Sequence, residues 1–461
     1  MDFQKIRDKM QAAKIGEAAI KSFERSYRLL VEKETGLISE SDIEPVNQLP
    51  RYVDLPHVAE TPAAPSLSRC AILKLNGGLG TSMGLEKVKS LLTVKSGLTF
   101  LDLIARQVRA FRSEQNATLR FLLMNSFSTF EDTREWLSRN PEIGSVEEVE
   151  IMQSMAPKIE IASLQAISWP PNPDLEWCPP GHGDLYAALA GDTINTLLES
   201  GVEYLFVSNS DNLGASLDLD LYAWFANSAA PFAMEVTRRT PSDRKGGHLA
   251  LRGEKLILRE SAQCADEDTE AFQDISKHRY FNTNNLWLHL PALRDAIKKN
   301  GGFIPLPVIQ NRKTVDPRDK TTPPVYQLET AMGAAIECFD GALAIDVPRS
   351  RFAPVKTTSD LFALRSDAYS ISDAGQVQLH PECGGTPPVV KLDDTYKLVD
   401  QLEQAVESEV PSLRKCKSLE VSGPVFFESG SIFEGEIKII NPSSERKKLP
   451  AKTYTDGTYE V

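Results

Sequence analysis

The segment from Cys70 to Ser90 limits this chain more than any other. A short apolar run, 71–75, predicts a buried strand. It breaks at Asn76 into Gly77, Gly78, Gly80 and Gly84. Glycines let a backbone turn tightly and approach a ligand with no Cβ in the way. Successive N–H groups in such a loop form a concave anion site. Lys89, just beyond, adds a full positive charge. Strand, glycine loop and lysine together predict a nucleotide-phosphate site; the alternative is a tight strand-to-helix turn that binds nothing. Two common versions of the site are excluded by spacing. A dinucleotide fingerprint, G-x-G-x-x-G, started at Gly78 and Gly80 would need glycine where Met83 stands. A Walker loop, G-x-x-x-x-G-K-[ST], would need it at Ser82 or Met83.

The 461 residues suffice for two or three domains with a large core. With 41% hydrophobic and 25% charged residues the composition is globular and excludes disorder. A net charge of −13 argues against nucleic-acid binding. A phosphate ligand must then be met by local lysines, backbone N–H groups or a metal. Cysteines 70, 178, 264, 338, 383 and 416 form no C-x-x-C pair, so neither a zinc ribbon nor a disulfide framework is expected. Reduced thiols in a cytoplasmic protein are expected instead. Residues 1–14 lack the apolar core of a signal peptide. No run of about 18 apolar residues occurs, so no membrane span is expected.

Residues 1–35 read as helix, with Ile20, Phe23, Tyr27, Leu30 and Val31 on one face. Prolines 45, 50, 56, 62 and 65 mark a linker or an extended wrap. From Cys70 strands and helices alternate. Thr99 and Asp102 form a cap for a helix carrying Phe100, Leu103, Ile104, Val108 and Phe111. Strands are expected at 120–124, 149–152, 204–207 and 232–236, and helices at 129–139 and 184–198. This pattern predicts an α/β fold that binds ligands at the carboxyl ends of its strands. Residues 300–325, with Gly-Gly and five prolines, read as a long surface loop. After about 366 short apolar alternations punctuated by Gly423, Gly430 and Gly435 suggest a β-solenoid cap; a small antiparallel sheet is the competing reading. The expected division is a helical extension at 1–68, a catalytic domain at 69–365 and a β-solenoid-like domain at 366–461.

Several short runs carry chemistry. Ser208-Asn209-Ser210-Asp211-Asn212 follows an expected strand, and Asp211 suits a Mg²⁺ ligand, since that ion takes one or two carboxylates plus phosphates and water. An Asx turn is the alternative. In Pro180-Gly181-His182-Gly183-Asp184 the histidine, flanked by glycines, suits a ligand contact, and Asp184 suits a helix cap. Lys356, amid small polar residues, suits a developing negative charge, against the alternative of a solvated surface lysine. The amides of Asn282, Asn284 and Asn285 suit sugar hydroxyls or loop capping.

Six runs taken together resemble the eukaryotic-type UDP-glucose pyrophosphorylase family, the UTP–glucose-1-phosphate uridylyltransferases. They are Lys-Leu-Asn-Gly-Gly-Leu-Gly-Thr-Ser-Met-Gly at 74–84, Leu-Met-Asn-Ser-Phe at 123–127, Pro-Pro-Gly-His-Gly-Asp at 179–184, Ser-Asn-Ser-Asp-Asn-Leu-Gly at 208–214, Phe-Asn-Thr-Asn-Asn-Leu-Trp at 281–287 and Pro-Val-Lys-Thr-Thr-Ser-Asp-Leu at 354–361. The resemblance implies a Rossmann-like nucleotidyltransferase domain with a mixed sheet. It implies that Leu75, Asn76, Gly77 and Gly78 contact UTP, the two glycines also lying near the sugar phosphate. It implies that Lys89 binds the triphosphate, that Gln153 and Gly181 read uracil, and that His182 meets the sugar phosphate. Asn209, Ser210 and Asp211 match the sugar and metal site, Asn284 a glucose contact, and Lys356 the catalytic lysine, which also meets the nucleotide. The family has proline before the loop lysine, whereas Val88 stands here, and Lys87 is a rival for the same role. In some relatives the tail carries oligomer contacts, so self-association through the C-terminal domain is an open expectation.

The expected reaction is attack of glucose 1-phosphate on the α-phosphorus of UTP, giving UDP-glucose and pyrophosphate, with Mg²⁺ and lysines stabilising charge. The alternatives are another sugar 1-phosphate as acceptor, or a non-catalytic nucleotide-sugar-binding protein.

Overall fold

The computed structural model describes residues 3–58 and 65–461; Pro62 of the proline-rich stretch lies outside the described residues. A ten-stranded mixed sheet organises the chain. Four strands run parallel in the spatial order Glu150–Met152, Arg120–Asn125, Cys70–Asn76, Tyr204–Asn209. Tyr280–His289 then pairs antiparallel with Tyr204–Asn209. Phe232–Arg238 lies antiparallel to Tyr280–His289 and parallel to Leu343–Asp346. The hairpin His248–Arg252 and Lys255–Arg259 extends the sheet, and Glu44–Pro45 adds to its edge.

The central strands are mostly apolar because both faces of the sheet are covered, with Lys74 and Ser208 as buried polar exceptions. Their side chains alternate between two cores. Ile72 and Phe206 pack with Leu103, Ile104 and Val108 of helix Phe100–Glu114 on one face. Ala71, Leu73, Leu205 and Val207 pack with Leu185, Leu189, Ile194 and Leu197 on the other. Thr99 and Asp102 form the expected reciprocal cap of helix Phe100–Glu114.

Three expectations are corrected. The N-terminal helix is two, Gln4–Ala12 and Glu17–Val31, interrupted at Lys14, whose φ is 58°. The helix expected at 184–198 is Leu185–Leu189 followed by Asp192–Glu199, because Gly191 takes a φ of 72° between them. Residues 300–325 are not a continuous loop: Val308–Thr314 pairs antiparallel with Pro324–Thr330. Pro324 stands at the first position of its strand, where a missing N–H is tolerated.

The C-terminal part is corrected as well. Val389–Leu392, Ser412–Ser422, Ile432–Ile440, Thr453–Tyr454 and Gly457–Glu460 form one sheet with parallel pairing, and Val425–Phe427 pairs parallel with Lys447–Leu449. This is neither the antiparallel sheet nor the regular β-solenoid. The strands range from two to eleven residues, and the pairing of the two longest is interrupted by register shifts at 412–418. A repeat read from apolar alternation alone does not register such bulges. The core of these strands is continuous with that of the main sheet: Phe427, Phe433 and Tyr454 share one cluster with Phe362 and Trp287, and the Phe362 and Phe427 ring centroids are 5.4 Å apart.

Candidate active site

Register puts the ends of the parallel strands in one row. Leu75 lies beside Asn209 on one side and Met124 on the other, Asn76 beside Asn125, and Asn125 beside Met152. The residues that leave the sheet there include Gly77, Ser126, Gln153 and Ser210, at one carboxyl edge. Ser210 N–H donates to Leu75 O at 3.2 Å. Asn76 is buried, and its Nδ2 donates to Asn125 Oδ1 and Thr133 Oγ1, so its amide fixes the strand ends to one another.

The glycine loop folds back on Lys89. Gly80 and Gly84 take φ of 72° and 76°, a region costly for any residue with a Cβ. Lys89 N–H donates to Gly78 O at 3.0 Å, and a Cβ on Gly80 would lie 3.2 Å from Lys89 Cγ. Val88 has φ −53° and ψ 130°, which a proline would also satisfy. Its N–H, which proline lacks, donates to Asp132 Oδ2 at 3.0 Å. Lys87 is exposed, whereas Lys89 is largely buried.

Lys89 Nζ reaches Asp211 Oδ2 at 2.6 Å. Asp211 Oδ1 is buried and has no hydrogen-bond partner among the described residues. Val355 N–H donates to Asp211 O at 3.1 Å, and Asn212 pairs with Pro354, so Lys356 is held beside the Asp211 turn by main-chain contacts despite its distance in sequence. Lys356 is exposed, with Nζ 5.7 Å from the Phe352 ring centroid. Lys89 therefore meets Asp211 directly, and the backbone of the Lys356 segment passes the same turn. Glu260, which accepts from Asn282, lies within electrostatic reach of Lys356, and burial raises its carboxyl pKa.

A second group lies across the glycine loop. Gln153 Nε2 donates to Gly181 O at 2.8 Å, and a Cβ on Gly77 would lie 2.8 Å from Gln153 Oε1. Gly181 has φ 82°, and a Cβ there would collide with Thr330 O. Met332 N–H donates to His182 Nδ1 at 3.0 Å. Burial pushes the His182 pKa down to about 4. The neutral ring, with Nδ1 accepting, must carry its hydrogen on Nε2. Asp184 does not cap a helix; its Oδ2 accepts from Ser154 N–H at 2.6 Å. Burial drives its pKa up to about 7, against that hydrogen bond.

Asn284 sits at the bulge of strand Tyr280–His289 with φ 59°, exchanging hydrogen bonds with Asn282. Its Oδ1 accepts from Asn282 Nδ2 at 2.9 Å. Ser126, whose Oγ donates to Gly77 O at 2.9 Å, and Thr330 were not singled out from sequence. Ser126 lies inside the 123–127 run, but no local signal marks Thr330.

A mixed α/β sheet bearing a glycine loop, a cationic side chain and a carboxylate at its carboxyl edge defines a nucleotide-binding fold of the nucleotidyltransferase type. Residues 20–433 match the UTP–glucose-1-phosphate uridylyltransferase family, and the chain belongs to that family. It is 38% identical over 404 residues to UTP–glucose-1-phosphate uridylyltransferase of Solanum tuberosum, covering 87% of this chain and 83% of the relative. It is 39% identical over 387 residues to a probable enzyme of the same name from Schizosaccharomyces pombe, covering 83% and 75%. Among solved structures, a variant of UDP-glucose pyrophosphorylase from Leishmania major in complex with UDP-glucose matches with a TM-score of 0.93 and 45% identity over 99% of each chain. UDP-glucose phosphorylase from Trypanosoma brucei matches with a TM-score of 0.91 and 44% identity, over 99% of this chain and 98% of that one. No helix among the described residues is long and apolar enough to cross a membrane.

Proposed function

We propose that this chain transfers the uridylyl group of UTP to glucose 1-phosphate, giving UDP-glucose and pyrophosphate. What supports this reading is the Lys89–Asp211 contact, with the main chain of the Lys356 segment bonded to the same turn, in a member of this family. A phosphate oxygen of glucose 1-phosphate forms the new bond to the α-phosphorus. The bond to the β-bridging oxygen breaks, and its electron pair leaves with pyrophosphate. The nucleophile is already ionised at neutral pH, so positioning and charge neutralisation suffice. Lys89 binds the departing pyrophosphate and Lys356 the charge on the α-phosphoryl group. Leu75, Asn76, Gly77 and Gly78 cradle UTP through their main chain. Gln153 and Gly181 read uracil, and His182 Nε2–H donates to the sugar phosphate. Asn209, Ser210 and Asn284 face the glucose.

Asp211 would hold Mg²⁺. Its buried Oδ1, which has no hydrogen-bond partner among the described residues, fits a metal ligand. No group of three or more His, Cys, Asp or Glu able to hold a metal occurs among the described residues, so phosphate oxygens and water would have to complete the shell. Mg²⁺ bound there neutralises charge on the triphosphate.

The reading includes the division at 1–68, 69–365 and 366–461. It includes a cytoplasmic location, supported by six free thiols. It also includes a homo-oligomer formed through the C-terminal sheet, where Val389 and Ile432 are exposed.

The test is pyrophosphate release from UTP with a panel of sugar 1-phosphates, with and without Mg²⁺. Turnover selective for glucose 1-phosphate supports the reading. Selectivity for another sugar reassigns the acceptor. Tight UTP binding with no product identifies a non-catalytic binder.

A further inference from the structure

The segment that carries Lys356 is tied to the Asp211 turn by few bonds, and Asn212 makes most of them. Asn212 is fully buried. Its Oδ1 accepts from Ala353 N–H at 3.0 Å, and its Nδ2 donates to Arg351 O at 3.1 Å. The Asn212–Pro354 bridge lacks the N–H that proline cannot donate, and the side chain takes the neighbouring N–H of Ala353 in its place. A further tie is Val355 N–H to Asp211 O at 3.1 Å.

Behind the segment is a rigid anchor. Glu235, fully buried, binds Arg351 through both oxygens, at 2.7 and 2.8 Å, and accepts from Trp287 Nε1 and Asn285 Nδ2 at 3.0 Å each. Arg351 Nη2 also donates to Ser216 O, beyond the Asp211 turn. Gly214 makes the close approach possible: a Cβ there would collide with Ser350 O. Glu235 and Arg351 thus fix where the segment starts, and Asn212 fixes where it passes Asp211.

We propose that Asn212 is a positioning residue for uridylyl transfer, its side-chain amide setting the separation of Lys356 from Asp211. This rests on the function proposed above. Asn212 touches no reacting atom, so its loss acts through geometry.

The test is Asn212→Ala, with Asn212→Asp beside it, in the full-length protein. Misplacing a charge-stabilising group by about 1 Å costs on the order of a hundredfold in rate. In Asn212→Ala kcat is expected to fall by about that factor, with KM for both substrates changing far less. Asn212→Asp, which keeps the acceptor for Ala353 N–H, is expected to fall between. Hydrogen exchange supplies a readout independent of turnover: the Ala353 and Val355 amides should lose protection in Asn212→Ala while those of strand Tyr204–Asn209 keep theirs. Unchanged kcat, or a loss matched by the unfolded fraction, overturns the proposal. So does unchanged protection at Ala353 and Val355. Wild-type protein that exchanges as expected but turns over no UTP refutes the proposed function instead.

Discussion

Lys89 Nζ lies 2.6 Å from Asp211 Oδ2, while Oδ1 of the same carboxylate has no hydrogen-bond partner among the described residues. On the proposed reading, a cation at Asp211 would compete with this ammonium group for one carboxylate, and a triphosphate would be the lysine's alternative partner.

Replacing Lys89 by methionine should have two opposite effects. Metal binding without nucleotide should tighten, because Asp211 loses its competitor; Mn²⁺ titration followed by EPR measures this. Uridylyl transfer should fall by about a hundredfold, the scale of one preorganised charge. Weaker Mn²⁺ binding would show that the ion pair does not compete with the metal.

Lys356→Ala should lower kcat by about a hundredfold, on the order of 3 kcal/mol of transition-state stabilisation. Because Lys356 is exposed, the melting temperature should barely move. A pyrophosphate-release assay with a thermal melt separates the two, and near-full turnover removes Lys356 from the chemistry.

Gly77→Ala would place a methyl group 2.8 Å from Gln153 Oε1. The amide must then shift from its bond to Gly181 O. A lost hydrogen bond of about 1 kcal/mol corresponds to several-fold weaker UTP binding, measurable by calorimetry. Equal affinity in the variant would mean that Gln153 repositions without cost.

Asp184 gives a pH signature. Its pKa is raised to about 7 by burial, so the folded state holds a proton that the unfolded chain releases near its ordinary carboxylate value. The stability from that proton is complete at low pH and is lost as pH rises through about 7. Asp184→Asn should therefore gain in melting temperature relative to wild type between pH 4 and 8. Parallel curves would show that Asp184 does not titrate this way.

The parts of the site legible in sequence were those with local causes. The glycine loop is marked because Gly80 and Gly84 need positive φ, and the central strands because burial on both faces demands apolar runs. Elsewhere the cause is not local. Lys14 takes a left-handed backbone that nothing in a lysine announces. Gly191 stands inside an apolar periodicity that continues past it, so the break is hidden. Glu235 follows the apolar run Phe232, Ala233 and Met234 in its strand and meets Arg351 116 positions later, a pairing that nothing local announces.

The rings of Phe362 and Phe427 meet at a tilt across what would otherwise be a seam between two modules. With Phe433 and Tyr454 in the same cluster as Trp287, the tail forms one wall of the catalytic layer. Close-packed interiors do not accept a foreign wall without rebuilding. Insertions at the rim loops are compatible with this architecture. Grafting an unrelated module in place of the C-terminal strands would instead leave the main sheet standing on an open flank.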